Sequence, residues 1–454
     1  MKILLISPLR NVTQKTSKNL MMPQLALFII EGLTPKEHEV KIIEEESKEI
    51  NIDEDCDLVG ISCMTSNANR AYYLAQEFRK RGKTVVLGGV HPTILPDEAL
   101  QYADSVVIGE AEGVWKQLLE DFRNNKLQKK YHVPNPDIST YIPKNFARLK
   151  SRKIFNIIPL MTTRGCPYSC DFCCVSNIFG KEIRHVPIEN IVRDIKSSKS
   201  KKFIFLDDNI IGQPKYAKEL FKAIKPLKIQ WVGQSSVSFA KDEELMQLAA
   251  DSGCRVLFMG LESVSDYQLK NLKKSYNDVE ELETAIKKIK KMKILIHASM
   301  IFGFDSDTKN TFDDTLKFLI RNKVNSVSFN VLTPYPGTKT FNEFKEGGRL
   351  LTDDWQHYDH NTVVFTPKNM SPIDLQIGKI ITKKKFYSTS SVLRRFSGNL
   401  YDPLLYLFIN LGHIKQSKVE INKIPSFKST ISEFENNILL RKKVVLEKEL
   451  VEVF

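Results

Sequence analysis

Residues 161–176 read MTTRGCPYSCDFCCVS, and the three cysteines Cys166, Cys170 and Cys173 decide how the rest of the chain is understood. Their spacing is C-x3-C-x2-C. A tight loop with that spacing can set three thiolates around one inorganic cluster. Three ligands cannot fill the four corners of a [4Fe–4S] cube, so one iron stays open to another molecule. A zinc site and three ordinary buried thiols are the competing readings. Structural zinc takes four closed ligands, usually in two separated CxxC-like pairs, and no second pair follows here. Cys174 adjoins Cys173 and points elsewhere if Cys173 is a ligand, so it reads as packing.

Downstream of the motif, β-branched and aromatic runs alternate with helical patterns. The predicted strands are Asn156–Thr162, Phe203–Asp207, Gln230–Gln234, Val256–Gly260, Ile294–Ile301 and Ser326–Leu332. Six such βα units imply a partial (β/α)6 barrel with its site at the carboxyl ends of the strands. The cysteine loop follows the first of them. Polar groups end the others: Asp207 and Asp208, then Gln234 and Ser236, Glu262, the stretch around Met300, and Tyr335. Each alone reads equally as a turn or helix cap.

Upstream, residues 1–128 show a second alternation, with strands predicted at Lys2–Ser7, Glu39–Ile43, Leu58–Cys63, Thr84–Leu87 and Ser105–Ile108. This pattern means a parallel sheet covered by helices on both faces, with ligands past the carboxyl ends of its strands. Pro8, Met64, Thr65, Gly88, Gly89, His91, Thr93, Gly109 and Glu110 fall at those ends. Glycines there let backbone approach a ligand closely. Residues 129–155 lose periodicity and gather prolines, as a linker does.

The cysteine spacing, with Phe172 just before the third cysteine, resembles the radical S-adenosylmethionine (SAM) enzymes. There the open iron chelates SAM, and electron transfer from the cluster releases a 5′-deoxyadenosyl radical. The phrases GGVHPT and GEAE, ahead of that motif, make the first domain similar to the cobalamin-binding domain of the B12-dependent radical SAM class. The D-x-H-x-x-G motif that places a histidine on cobalt in methionine-synthase-like domains is absent, as it often is in the radical SAM class. His91 is the tempting substitute and reads more readily as shaping its loop.

The resemblance implies three cofactors: a [4Fe–4S] cluster on Cys166, Cys170 and Cys173, SAM, and cobalamin. It places Phe172, Gln234, Ser236, Glu262 and Met300 around SAM, with Asp207 and Asp208 near SAM or substrate. Tyr335 would face the substrate, or pack as a turn aromatic on the barrel. His185 falls where relatives carry a basic residue near the cofactors, or else on a solvated strand. A reductant such as flavodoxin or ferredoxin would feed the cluster.

Residues 156–340 thus form the barrel, and 341–454 a mainly helical C-terminal region. Trp355, His357, Tyr358 and His360 cluster in DDWQHYDHNTVVFTP and read as a segment over the open side of the barrel. The stretch Ser371–Phe396 reads as a basic helix. The apolar run that follows from Tyr401 is a buried or an interfacial helix. This region resembles a subgroup that includes hopanoid C-2 methylases.

Composition sets the outer limits. At 454 residues with 42% hydrophobic content, the chain reads as two or three soluble domains. Seven cysteines, three of them in the motif, do not read as a disulfide framework. An oxygen-sensitive cluster implies a reducing, cytoplasmic compartment. The start MKILLISPLR is too short in its apolar run for a signal segment and reads as a strand. The net charge of +13 is spread as lysine along the chain. It reads as a solvated surface, without the basic patch or module of a nucleic-acid binder. Contact with an anionic membrane surface stays open.

The expected activity is methylation of an unactivated carbon of a small or lipid-like metabolite. The alternatives are a B12-containing radical enzyme that rearranges, cyclises or dehydrogenates without methyl transfer, and a non-catalytic cofactor carrier. An RNA-methylthiolating enzyme would need an appended RNA-binding domain, and none is read.

Overall fold

The computed structural model describes residues 1–9, 23–139, 157–272, 278–398 and 400–452, with backbone alone for the last twelve. The chain divides into two compact units, Met1–Phe258 and Met259–Phe454.

The first unit opens with β1 (Lys2–Ser7), β2 (Glu39–Glu44), β3 (Leu58–Ser62), β4 (Thr84–Gly88), β5 (Ser105–Ile108) and β6 (Lys130–His132). They pair in parallel in the order β2-β1-β3-β4-β5-β6. The strands are nearly continuous apolar runs because both faces are covered: Ile3 to Ile6 and Leu58 to Val59 are buried. Ile3, Leu5, Val86, Val107, Trp115 and Leu118 share one core, and Trp115 Nε1 donates to Thr34 Oγ1 at 2.8 Å. Strand order reverses direction between β1 and β3. That switch point is where sheets of this kind leave a crevice for ligands.

The strand β6 lies in the stretch read from sequence as linker. Its three residues are too few to show a period of two. Pairing with the edge of β5 orders them instead. Prolines 134 and 136 follow it, and Pro143 lies outside the described residues.

The first unit continues with β7 (Ile157–Leu160), the two-residue β8 (Thr163–Arg164) and β9 (Arg184–His185), then β10 (Lys202–Phe205) and β11 (Gln230–Ser235). Here β7, β10 and β11 are parallel neighbours in that order, while β8 and β9 pair antiparallel. The strand β12 (Cys254–Glu262) crosses the point of division.

In the second unit, β13 (Leu295–Phe302) and β14 (Ser326–Val331) pair in parallel. Helices follow at Pro372–Phe386, Thr389–Phe396, Pro403–Asn422 and Ile424–Glu452. The predicted single helix over 371–396 is therefore two. Ser388 breaks it by capping the second, its side chain accepting from the Ser391 N–H. The alternation of parallel strands and helices is that of a partial (β/α) barrel following a Rossmann-like domain, with a mainly helical C-terminal region.

Candidate active site

The cysteine loop leaves β8 and returns at β9, so its neck is closed by the ladder pairs Thr163–His185 and Arg164–Arg184. Gly165 starts the loop at φ +97°, where a Cβ would overlap the Glu182 carbonyl oxygen. Only glycine fits that crossing. The Cys166 N–H then donates to Gly180 O at 3.3 Å, and the Cys173 N–H to Cys170 O at 3.0 Å. A short helix, Val175–Phe179, hangs from Cys174, whose carbonyl accepts from Asn177 and Ile178, each at 3.1 Å.

The cysteines separate by environment. Cys166, Cys170 and Cys173 are partly exposed, whereas Cys56, Cys63 and Cys254 are buried. Burial pushes the Cys174 thiol up to about 11, with the neighbouring Cys173 adding to it. A thiol so disposed stays protonated and is a poor metal ligand. Among the described residues no three Cys, His, Asp or Glu side chains gather as around a single metal ion. A cluster makes a different demand, one thiolate for each of three irons. Three soft donors on one loop, pinned at its neck, match that requirement.

Asp207, expected beside the cofactor, is buried and spent on the loop's neck. Its carboxylate accepts from the Thr162 N–H at 3.1 Å, Thr162 Oγ1 at 2.7 Å, Thr163 Oγ1 at 2.6 Å and the Thr163 N–H. Burial raises its pKa against these bonds. Asp208 is pushed up to about 7, by burial first and by the charge of Asp207 second.

Near the end of β11, the Gln234 side chain donates to Asp208 O at 3.1 Å. Asn209 Oδ1 accepts from the Ser236 N–H at 3.1 Å. Ser236 and Ser238 share a 2.6 Å hydrogen bond, and Tyr168 of the cysteine loop donates to Ser238 Oγ at 3.3 Å. Thus Asp208, Gln234 and Ser236 are brought into one polar chain that reaches the loop. Phe172 is part-buried on that loop, and His185 is exposed with its ring 4.7 Å from that of Tyr216.

Also in the first unit, a cavity of about 330 Å³ lies at the carboxyl ends of β1, β3, β4 and β5. Met64, Gly88, Gly89, Gly109 and Glu110 line it, as do Met161, Arg164, Phe179 and Leu206. The other predicted residues stand behind this lining and shape it. The Pro8 carbonyl accepts from Asn67 Nδ2 at 3.1 Å, while Asn67 Oδ1 takes the Met64 N–H at 2.7 Å. Asn67 therefore braces both sides of the switch point. Thr93 Oγ1 donates to Gly89 O at 2.7 Å and accepts the Gly109 N–H at 2.9 Å. His91 is fully buried, with Nδ1 3.4 Å from Thr65 Oγ1 and Nε2 3.2 Å from Glu98 Oε1. Both ring nitrogens are turned to protein partners, so His91 is a loop brace.

Glu110 does more than line the cavity. It pairs with Arg164 and with Arg184, and Glu112 pairs with Arg164. All four side chains are largely buried. The two carboxylates raise the hold of Arg164 on its proton. Composition and spacing left these arginines unremarked, because neither stands in a periodic pattern; the antiparallel β8–β9 pair is what sets them side by side.

In the second unit, Glu262 ends β12 buried and at φ +63°, a conformation an L-residue holds only when its surroundings demand it. Met300 is buried in β13. Tyr335 follows β14, its hydroxyl donating to Tyr358 O at 3.1 Å and its ring 5.1 Å from that of His360. His360 also sits at positive φ, +64°, and its carbonyl accepts the Val331 N–H at 2.8 Å. The Trp355–His360 segment is thereby fastened to the end of β14. Burial lowers the pKa of His360.

Comparison with known proteins matches this arrangement. Residues 18–119 match the B12 binding domain and residues 160–319 the Radical SAM superfamily. The chain is 32% identical over 411 residues to the bacteriochlorophyllide d C-12(1)-methyltransferase of Chlorobaculum tepidum, covering 87% of this chain and 90% of that one. It is 24% identical over 349 residues to the hopanoid C-2 methylase of Rhodopseudomonas palustris, covering 73% and 66%. In fold it is similar to the cobalamin-dependent SAM radical enzyme OxsB with aqua-cobalamin bound. That match has a TM-score of 0.66 at 14% identity and covers 99% of this chain and 81% of OxsB. A [4Fe–4S] cluster, SAM and cobalamin are the cofactors these matches imply. The chain belongs to the cobalamin-dependent radical SAM enzymes, and its relatives at 32% identity are methyltransferases.

Proposed function

We propose that this enzyme methylates an unactivated sp3 carbon of a large apolar metabolite, of the tetrapyrrole or polycyclic lipid class. The observation that carries the reading is the placement of the cysteine loop and the switch-point cavity within one unit, with Arg164 in the neck of the first and the lining of the second. When bound, the cofactors supply reductive cleavage of SAM, hydrogen abstraction from carbon and a methyl donor.

The chain's own residues hold, orient and dry the reactants. Cys166, Cys170 and Cys173 hold the cluster. Met64, Gly88, Gly89 and Gly109 meet the corrin, with glycine permitting close backbone approach. Gln234 and Ser236 orient SAM. The apolar substrate class is supported by Phe258 of β12. Its side chain stays more than a third exposed, where a sheet covered on both faces would bury it. The relatives named above act on a bacteriochlorophyllide and a hopanoid. The functional partition is 1–128, 129–155, 156–340 and 341–454, its first and third parts supported by family matches at 18–119 and 160–319. The one-electron donor is a flavodoxin or ferredoxin. Among the described residues no helix is long and apolar enough to cross a membrane.

The test is anaerobic reconstitution with iron, sulfide and cobalamin, then incubation with SAM, reductant and candidate tetrapyrrole or polycyclic substrates. Methyl transfer yields 5′-deoxyadenosine, S-adenosylhomocysteine and a product heavier by one methylene. Formation of 5′-deoxyadenosine alone, with an unmethylated product, assigns the enzyme to rearrangement, cyclisation or dehydrogenation and overturns the proposal.

A further inference from the structure

The helix Pro403–Asn422 is inverted relative to an ordinary surface helix. It starts from Asp402, whose side chain accepts the Leu405 N–H at 3.3 Å, with Pro403 in its first turn. Its buried residues are Tyr406, Asn410 and Ser417, a polar stripe at i, i+4 and i+11. Tyr406 donates to Val392 O at 2.8 Å, and Asn410 Nδ2 to Asn325 O at 3.1 Å. Buried Arg395 donates to Asn410 Oδ1 at 3.1 Å and to the carbonyls of Val324, Asn325 and Phe386. These bonds fix which face of the helix turns inward.

The opposite face carries Leu404, Leu407 and Leu411, exposed by 80%, 37% and 63%. Their spacing of three and four places them on one stripe. Leu400, just before the helix, is 64% exposed. Lys415 and Lys418 follow Leu411 at i+4 and i+7, so the stripe ends in two exposed lysines. Exposed Lys384 and Arg394 precede it. Between residues 381 and 419 the one carboxylate is Asp402, already spent as the helix cap. A helix that turns its polar groups to the protein and its leucines outward needs an apolar cover.

We propose that this face docks on an anionic lipid bilayer, the leucines entering the headgroup boundary and Lys415, Lys418 and Arg394 meeting lipid phosphates. Charge complementarity selects this occupant: an apolar stripe set in a basic segment with no free carboxylate between residues 381 and 419 is what an anionic leaflet attracts. At 20 residues, with its lysines in line, the helix lies along the surface and does not cross. The inference is independent of the reaction, because it is read without turnover.

The test is co-sedimentation of the full chain with vesicles of phosphatidylcholine alone or mixed with phosphatidylglycerol. Binding is expected to require phosphatidylglycerol and to weaken with salt. Leu404→Ser with Leu411→Ser is expected to lower partitioning roughly tenfold or more, and Lys415→Gln with Lys418→Gln several-fold. Both variants keep the Arg395–Asn410 contacts, so their melting temperatures should match wild type. Equal binding by the leucine variant, or no binding by wild type, overturns the proposal. A concentration-dependent dimer that the leucine variant abolishes also overturns it, assigning the face to a second copy of the chain.

Discussion

Arg164 and Glu110 form a buried ion pair that ties the neck of the cysteine loop to the end of β5. Arg184, on the partner strand β9, takes the other oxygen of Glu110, and Glu112 takes the other end of Arg164. The GEAE phrase thus works as a fastening between the B12-domain sheet and the loop that carries the cluster ligands. A displacement of one would carry the other with it.

Removing one partner of a buried pair leaves an uncompensated charge and costs about 3–5 kcal/mol. Glu110→Ala strips both arginines of a partner and is expected to reach that range in thermal or denaturant unfolding. Glu112→Ala leaves Arg164 still paired with Glu110 and should cost less. Cobalamin retained after desalting should fall in the first variant and change little in the second.

Cys166→Ala, Cys170→Ala and Cys173→Ala should each abolish the broad visible absorption of the reconstituted cluster while leaving bound corrin detectable. Cys174→Ala should keep both, because burial holds that thiol protonated. Loss of the cluster in the Cys174 variant alone would falsify the assignment of ligands.

Gly89 sits at φ +102°, and a Cβ there would lie 2.6 Å from the Cys63 carbonyl oxygen. Gly89→Ala should cost about 1–3 kcal/mol in strain and displace the β4 end from the cavity. Corrin binding, followed by retained absorbance, should weaken more than overall stability does. Unchanged corrin binding would place the cofactor elsewhere.

The carboxyl of Asp208 is raised to about 7, above the value of about 3.9 in an unfolded chain. Between those values the folded protein holds the extra proton. Stability contributed by the neutral form is therefore lost as pH rises through that window. The cluster-free protein should lose on the order of 2 kcal/mol more than Asp208→Asn does between about pH 5 and about pH 8. Parallel pH curves for the two proteins in chemical unfolding would remove Asp208 as the titrating group.

What the sequence determined by itself was the local chemistry. A three-thiol loop is legible because its ligands lie within eight residues, and the buried parallel strands are legible because burial on both faces writes unbroken apolar runs. The short pieces β6, β8 and β9 were not legible, since two or three residues carry no period and acquire order from their neighbours alone.

Tertiary structure decided which polar residues face a ligand and which brace the frame. A carboxylate at a strand end has the same local signature in either role. Asp207 became the clasp of the loop neck because Thr162 and Thr163, at the start of that neck, converge on it. His91 became a brace because Thr65 and Glu98 close on both its nitrogens. The outward turn of Leu404 and Leu411 was equally hidden. It depends on Arg395, Asn325 and Asn410 meeting from three separate segments, and partners that distant in sequence leave no pattern along the chain.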